Sequence, residues 1–106
     1  MKAIRVTEFG GPERLELQET AAPSPAPGEA LVRLAVAGVN FIDVYMRNGS
    51  YAKSDTYRTP LPMTLGMEGV GTVAELGPGV TEPPVGARVG YCLARGSYAE
   101  YAAVPA

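Results

Sequence analysis

Short apolar segments alternate with glycine- and proline-rich turns along the whole chain. Residues 2–6 alternate apolar and basic side chains, and residues 14–18 alternate polar and apolar side chains with a period of two. This period is typical of half-buried β-strands, because successive side chains of a strand point to opposite faces. Residues 29–37 are mostly apolar, which predicts a strand covered on both faces. Three further strands are predicted, at residues 69–76, 87–93 and 97–104.

One segment, from about residue 40 to 48, follows the helical period instead. Asn40 is a favourable N-cap residue, and Asn48–Gly49 is a typical helix end. Asp43 and Arg47 have the i, i+4 spacing of an intrahelical ion pair. An apolar stripe at spacing i, i+3, i+4 predicts the side of the helix that packs against the core, and it consists of Phe41, Val44 and Tyr45.

Residues 50–65 show no periodicity, which predicts a long loop. A loop of this length in so small a domain is usually functional or mobile. Tyr45 is expected in the core because of its helical spacing. Tyr51 and Tyr57 lie in the loop, outside any periodic segment, and are candidates for contact with a ligand.

Composition narrows the fold class. Thirteen glycines and ten prolines among 106 residues exceed average usage and favour many turns. A chain of this length corresponds to about one domain. We therefore expect a single, mainly β domain, either a sandwich or a small barrel, with one short helix and one long loop.

Charge and residue counts exclude several functions. A net charge of -2 offers no basic surface for nucleic acid. Without histidine and with one cysteine, the chain has neither an imidazole-based catalytic triad nor a cysteine-cluster zinc site. No apolar stretch approaches 18 residues, and the N-terminus does not resemble a signal peptide, so we expect a cytoplasmic protein that does not bind membranes.

The segment 69–74 matches the glycine fingerprint of dinucleotide-binding loops, G-x-G-x-x-G/A. That fingerprint requires a helix to begin at the glycines, and Gly77-Pro78-Gly79 prevents one here. We therefore interpret the glycines as positions of close backbone packing within a strand.

Four other side chains are candidates for chemistry. Asp43, Glu68 and Glu100 are carboxylates near apolar stretches, and any two of them could form an acid/base pair, although solvated or structural roles are more common. Cys92 lies in an apolar run, which favours a buried, unreactive thiol.

Five segments in order resemble a known family. They span residues 9–13, 37–51, 62–73, 85–89 and 96–101, and include V-N-F-I-D at 39–43 and G-M-E-G-V-G-T-V at 66–73. They resemble the N-terminal domain of the NADPH:quinone oxidoreductases, the zeta-crystallin-like, zinc-free branch of the medium-chain dehydrogenase/reductase superfamily. In the zinc-dependent branch, a cysteine stands at the position of Asn40 and a histidine at the position of Met67; asparagine and methionine do not replace them as zinc ligands.

The resemblance implies a GroES-like, partly open β-barrel over residues 1–106 and hydride transfer from NADPH to a quinone or enone without zinc. It implies that Asn40 and Tyr51 are the catalytic residues. It places the cofactor contacts at Asn40, Phe41, Ile42, Asp43 and Tyr45. It further implies a Rossmann domain in the same chain, which would hold most of the NADPH, and a homodimer.

Residues 1–106 contain no Rossmann unit, so we expect them to be one domain of a longer enzyme and to be inactive alone. Two alternatives fit the same sequence. One is a self-standing GroES-like binding module or co-chaperonin, and the other is an enoyl-reductase domain of a polyketide synthase.

Overall fold

The chain forms seven β-strands and one α-helix, and the computed structural model describes residues 1–106. In chain order, the elements are β1 (Lys2–Val6), β2 (Glu16–Glu19), β3 (Glu29–Ala37), α1 (Phe41–Asn48), β4 (Met63–Thr64), β5 (Glu68–Leu76), β6 (Arg88–Cys92) and β7 (Tyr101–Pro105).

The strands make two antiparallel sheets. The first has the order β2-β1-β4 and the second has the order β6-β5-β3-β7. An antiparallel bridge between Ala3 and Ala99 joins β1 to the segment before β7, and the amide of Ile4 donates to the carbonyl oxygen of Tyr98 at 2.8 Å. The sheets do not close into a continuous barrel. The predicted mainly β fold, of the GroES-like partly open type, is confirmed.

The helix is present at the predicted place. Asn40 is its N-cap residue, with extended backbone angles, and Gly49 ends it at a φ of 88°. That left-handed conformation is accessible to glycine without steric cost, which explains why the helix stops there.

Two apolar clusters form the core. The first lies beneath α1 and consists of Val6, Met46, Met63, Leu65 and Met67, all buried. The second lies on the four-stranded sheet and consists of Val32, Ala102 and Val104. The first cluster is the more important for the site, because it supports both the helix and the loop that follows it.

Several predicted boundaries were wrong. The strand predicted at 14–18 begins only at Glu16, since Pro12–Arg14 form a 3-10 turn, and its Leu17 is 68% exposed rather than half-buried. The predicted loop 50–65 contains the two-residue strand β4, which pairs with the end of β1. The last predicted strand begins at Tyr101 rather than at residue 97.

The glycine segment 69–74 lies within β5, as its interpretation as a strand required. A Cβ atom on Gly71 would collide with the backbone carbonyl of Arg33 in the neighbouring strand, and one on Gly69 would lie 2.6 Å from Leu34 Cδ2. The glycines therefore permit close strand packing and open no helix. No helix of the structure is long and apolar enough to cross a membrane.

Candidate functional site

The outer face of α1 is aromatic and exposed. Phe41 is 68% exposed and Tyr45 is 40% exposed, and their ring centroids are 5.2 Å apart in an edge-to-face arrangement. Asp43 and Met46 are the buried residues of the helix. The prediction that the stripe of Phe41, Val44 and Tyr45 packs against the core was therefore wrong, because its two aromatic residues face outwards.

The two helix rings continue into the loop as a row. Tyr51 lies 5.7 Å from Tyr45 between ring centroids, and Tyr57 lies 5.2 Å from Tyr51. Tyr51 and Tyr57 also pack against the first core cluster, so one end of the row is exposed and the other is anchored. We call Phe41, Tyr45, Tyr51 and Tyr57 the aromatic row. It presents an apolar surface on which a planar ring can stack.

Asn40 stands at the exposed end of this row, fixed by the backbone of the helix start. The backbone amide of Asn40 donates to Asp43 Oδ2 at 3.1 Å, and the backbone carbonyl oxygen of Asn40 accepts from the backbone amide of Asp43 at 3.0 Å. Asp43 Oδ2 also accepts from the hydroxyl of Tyr98 at 2.7 Å, whereas its buried Oδ1 has no partner. Asp43 thus joins the helix N-terminus to the segment before β7.

The environment of Tyr98 affects its titration. Burial, followed by the hydrogen bond to Asp43 and the charge of that carboxylate, raises the pKa of Tyr98 above its ordinary range. The phenol therefore remains protonated at neutral pH and can donate its hydrogen bond. The predicted ion pair between Asp43 and Arg47 is not formed, because Arg47 Nη1 donates to the carbonyl oxygen of Gly10 at 2.8 Å.

The structure separates the predicted site residues into two groups. Asn40, Phe41, Tyr45 and Tyr51 lie along one surface, at the helix start and along the aromatic row. Ile42 packs against the core cluster, and Asp43 is only 4% exposed, so both face inwards. Sequence reasoning missed Tyr98, because nothing local marks a partner 55 residues away from Asp43.

The other candidate groups are dispersed. Glu68 lies against Gly38, where a Cβ atom would collide with its carboxylate. Glu100 Oε1 accepts from the backbone amide of Lys2 at 2.7 Å, so Asp43, Glu68 and Glu100 have three different environments. Cys92 is exposed on β6, at the edge of its sheet, and the prediction of a buried thiol was wrong. No group of three or more His, Cys, Asp or Glu side chains is arranged to hold a metal ion.

A second feature that the sequence did not indicate is an open cleft beside Tyr57. Its lining includes Met46 and Met67 from the core, together with Leu93 and Arg95 from the turn after β6. Arg95 is half-buried, and its Nη1 donates to the backbone carbonyl of Arg58 in the long loop. Burial lowers the pKa of Arg95 from its ordinary value.

The fold is shared with known proteins. Residues 26–106 match the alcohol dehydrogenase GroES-like domain family. The chain belongs to this family.

Three relatives of the GroES-like domain are informative. It is 39% identical over 105 residues to the quinone oxidoreductase of Rattus norvegicus, a match that covers 96% of this chain and 30% of the relative. A mycobacterial protein solved in complex with NADPH is 44% identical, with a TM-score of 0.90, over 100% of this chain and 32% of the other. The Escherichia coli quinone oxidoreductase, also solved with NADPH, is 34% identical, with a TM-score of 0.89, over 99% of this chain and 31% of the other.

The GroES-like domain therefore spans about a third of the length of these relatives. At these identities, the likeness includes both sequence and fold. The resemblance derived from the sequence, to the N-terminal domain of quinone oxidoreductases, is confirmed.

Proposed function

We propose that this GroES-like domain is the N-terminal part of an NADPH-dependent reductase of quinones or enones. The observation that supports the proposal best is the exposed aromatic row, which begins beside Asn40 on a domain whose relatives were solved with NADPH. In the overall reaction, NADPH supplies one hydride, and a proton from solvent completes the reduced acceptor.

The residues at the helix start suit the nicotinamide end of the cofactor. Phe41 and Tyr45 offer exposed ring surface, and the side-chain amide of Asn40 can hydrogen-bond an amide or a carbonyl oxygen. Tyr51 extends the apolar wall towards the acceptor and helps to exclude water. These residues bind and orient the reactants, which is the main task of a protein whose cofactor carries the chemistry.

The two inward-facing candidates act indirectly in this proposal. Asp43 holds the backbone of Asn40 at 3.1 Å and is itself held by Tyr98, so its contribution to cofactor binding is to fix the position of Asn40. Ile42 contributes by packing α1 against the core cluster.

We further propose that the reaction does not use zinc. The chain has no histidine, and its one cysteine lies at the sheet edge on β6. Met67 is a thioether in the core, 6% exposed, and the side chain of Asn40 is a neutral amide. Zinc sites in proteins use thiolate, imidazole and carboxylate groups, and neither Asn40 nor Met67 supplies one of these groups.

The remaining parts of the proposal concern the longer protein. A Rossmann domain in the same chain would hold most of the NADPH, and the full-length enzyme would be a cytoplasmic homodimer that acts on small molecules. In this arrangement, the 106 residues alone are inactive, because a hydride donor held at one end only would dissociate rapidly.

The test is kinetic. In the full-length reductase, we expect Asn40→Ala to lower kcat/KM for NADPH-dependent reduction of 1,4-naphthoquinone by about tenfold or more, because a buried polar contact is lost. Asn48→Ala is the matched control, since it changes the same residue type at the other end of α1, and it should alter kcat/KM less than about twofold. Thermal unfolding of both variants corrects for the N-cap at Asn40, which contributes about 1 kcal/mol. Absence of quinone-dependent NADPH oxidation in the wild type, or equal rates for Asn40→Ala and wild type, would refute the proposal.

A further inference from the structure

The cleft beside Tyr57 has the size and lining of a small-molecule site. Its volume is about 450 Å³, and its walls come from the core, the long loop and the turn after β6. Sites for small ligands have volumes of roughly 300–1,000 Å³ and combine apolar walls with a few polar groups. Because Tyr57 belongs both to the aromatic row and to the cleft wall, the two surfaces are continuous.

The turn after β6 has an unusual backbone at the cleft. Leu93 is the only residue other than glycine with a positive φ, at 63°, and its side chain is 68% exposed. A bulky residue in this conformation is strained, and such strain is concentrated at binding and active sites. The turn holds an exposed apolar side chain and, two residues later, Arg95 on the same cleft wall.

Arg95 is the distinctive polar group of the cleft. Its guanidinium is half-buried, and one of its five N–H donors is used on the carbonyl of Arg58. No carboxylate lies within ion-pair distance, since the ion pairs of the chain are Met1 with Glu19 and Arg14 with Glu8. The other charged groups on the cleft wall are Asp55 and Arg58, so two cations face one anion.

A half-buried guanidinium without an anionic partner is costly, and a carboxylate is the ligand whose shape matches its planar array of donors. Burial lowers the pKa of Arg95, and a bound anion would oppose this shift by stabilising the charged guanidinium. We propose that this cleft holds the hydride acceptor and that Arg95 selects acceptors that bear a carboxylate beside the reducible double bond. The inference rests on the proposed reductase function, and Arg95 is a specificity-determining residue in it.

The test uses two acceptors that differ by one charge. (E)-3-benzoylacrylate and its methyl ester have the same reducible double bond, and 1,4-naphthoquinone serves as a neutral reference. In the full-length enzyme with NADPH, we expect kcat/KM to be at least about tenfold higher for the acid than for the ester, chiefly through a lower KM. Reduction adds one hydride and one proton across the double bond and oxidises NADPH to NADP⁺.

Three variants separate charge from structure. Arg95→Gln keeps an N–H donor in the side chain and removes the charge, so it should abolish the preference for the acid over the ester. Arg95→Lys should retain part of the preference. Arg88→Gln removes an exposed cation from β6 and should leave the preference unchanged.

The possible outcomes distinguish this inference from the proposed function. If the wild type reduces naphthoquinone but does not prefer the acid, or if Arg95→Gln slows all three acceptors equally, the inference is overturned and the reductase function stands. If no acceptor is reduced, the reductase function fails, and calorimetric binding of the acid and the ester without NADPH decides the inference. Preferential binding of the acid that is lost in Arg95→Gln would support it, and equal or absent binding would overturn it.

Discussion

Tyr98→Phe is expected to destabilise the protein, because it removes one of the two donors that satisfy a buried carboxylate. Asp43 is 4% exposed, and its Oδ2 accepts from Tyr98 at 2.7 Å and from the amide of Asn40 at 3.1 Å. Its Oδ1 has no partner, so no donor compensates for the loss. A hydrogen bond to a charged group contributes about 1.5–3 kcal/mol. We expect the free energy of unfolding to fall by about 2 kcal/mol and the Tm to fall by about 10 °C.

Tyr91→Phe is the matched control, because the same atom is removed from a different environment. The hydroxyl of Tyr91 is buried without a hydrogen-bond partner, and burial raises the pKa of Tyr91 to about 12. Removing an unsatisfied hydroxyl relieves a desolvation cost, so this variant should be about 1 kcal/mol more stable than the wild type. Urea unfolding at pH 7, monitored by circular dichroism, measures both changes.

The pH dependence gives an independent check. Folding raises the pKa of both tyrosines above the ordinary value of about 10, so the folded state favours the protonated phenols. The pH-dependent contribution of each phenol to stability is complete below pH 10, where the phenol is protonated in both the folded and the unfolded state. This contribution is lost as the pH rises through the folded pKa values. Each Tyr→Phe variant should therefore lose less stability between pH 9 and 11 than the wild type. Equal changes for the two variants at pH 7, or no loss in Tyr98→Phe, would refute the assignment of the hydrogen bond.

Three further predictions follow from the close strand packing, the donor set and the domain boundaries. Gly71→Ala should reduce the free energy of unfolding by at least about 2 kcal/mol through collision with the Arg33 carbonyl, whereas Gly90→Ala, whose Cβ would lie 3.5 Å from its nearest neighbour, should be far milder in the same urea assay. Elemental analysis of the purified full-length protein should find no stoichiometric zinc, and one zinc per chain would contradict the proposed chemistry. NADPH should bind the isolated 106 residues with a Kd of about 1 mM or weaker by calorimetry, and micromolar affinity or turnover would show that the cofactor site lies within these residues.

Local chemistry made α1 predictable, but its orientation depended on distant residues. Asn40 and Gly49 set the ends of the helix through short-range capping, which the sequence displays directly. The side that faces the core carries Asp43 and Met46, and their partners are distant in sequence: Tyr98 binds Asp43 from a segment 55 residues away, and Met46 packs against Val6 and Met63. A pattern of apolar residues indicates burial in general, and it does not distinguish a protein core from a surface that binds a ligand. This is why Phe41 and Tyr45 were assigned to the wrong side.

Edges of sheets limited the prediction in the same way. An apolar run around Cys92 predicts burial, yet β6 is an edge strand whose side chains alternate between the two faces, so Cys92 is exposed beside a half-buried Tyr91. The strand β4 is only two residues long, and nothing in its own sequence indicates pairing with the end of β1. The cleft at Arg95 likewise forms only when the turn after β6 meets the loop after α1.

The pairing of the strands has a consequence for how the protein is made. The central strand β3 pairs with β7 over residues 101–105, and the first strand is bonded to residues 98–100, so both sheets are completed by residues far along the sequence. Contacts this distant along the sequence slow folding. On the ribosome, β1 can pair with β2 and β3 can pair with β5 as these strands emerge, but the edge of β3 that receives β7 keeps unpaired backbone groups until residue 105 has emerged. During this interval the nascent chain is most exposed to aggregation and has most need of a chaperone.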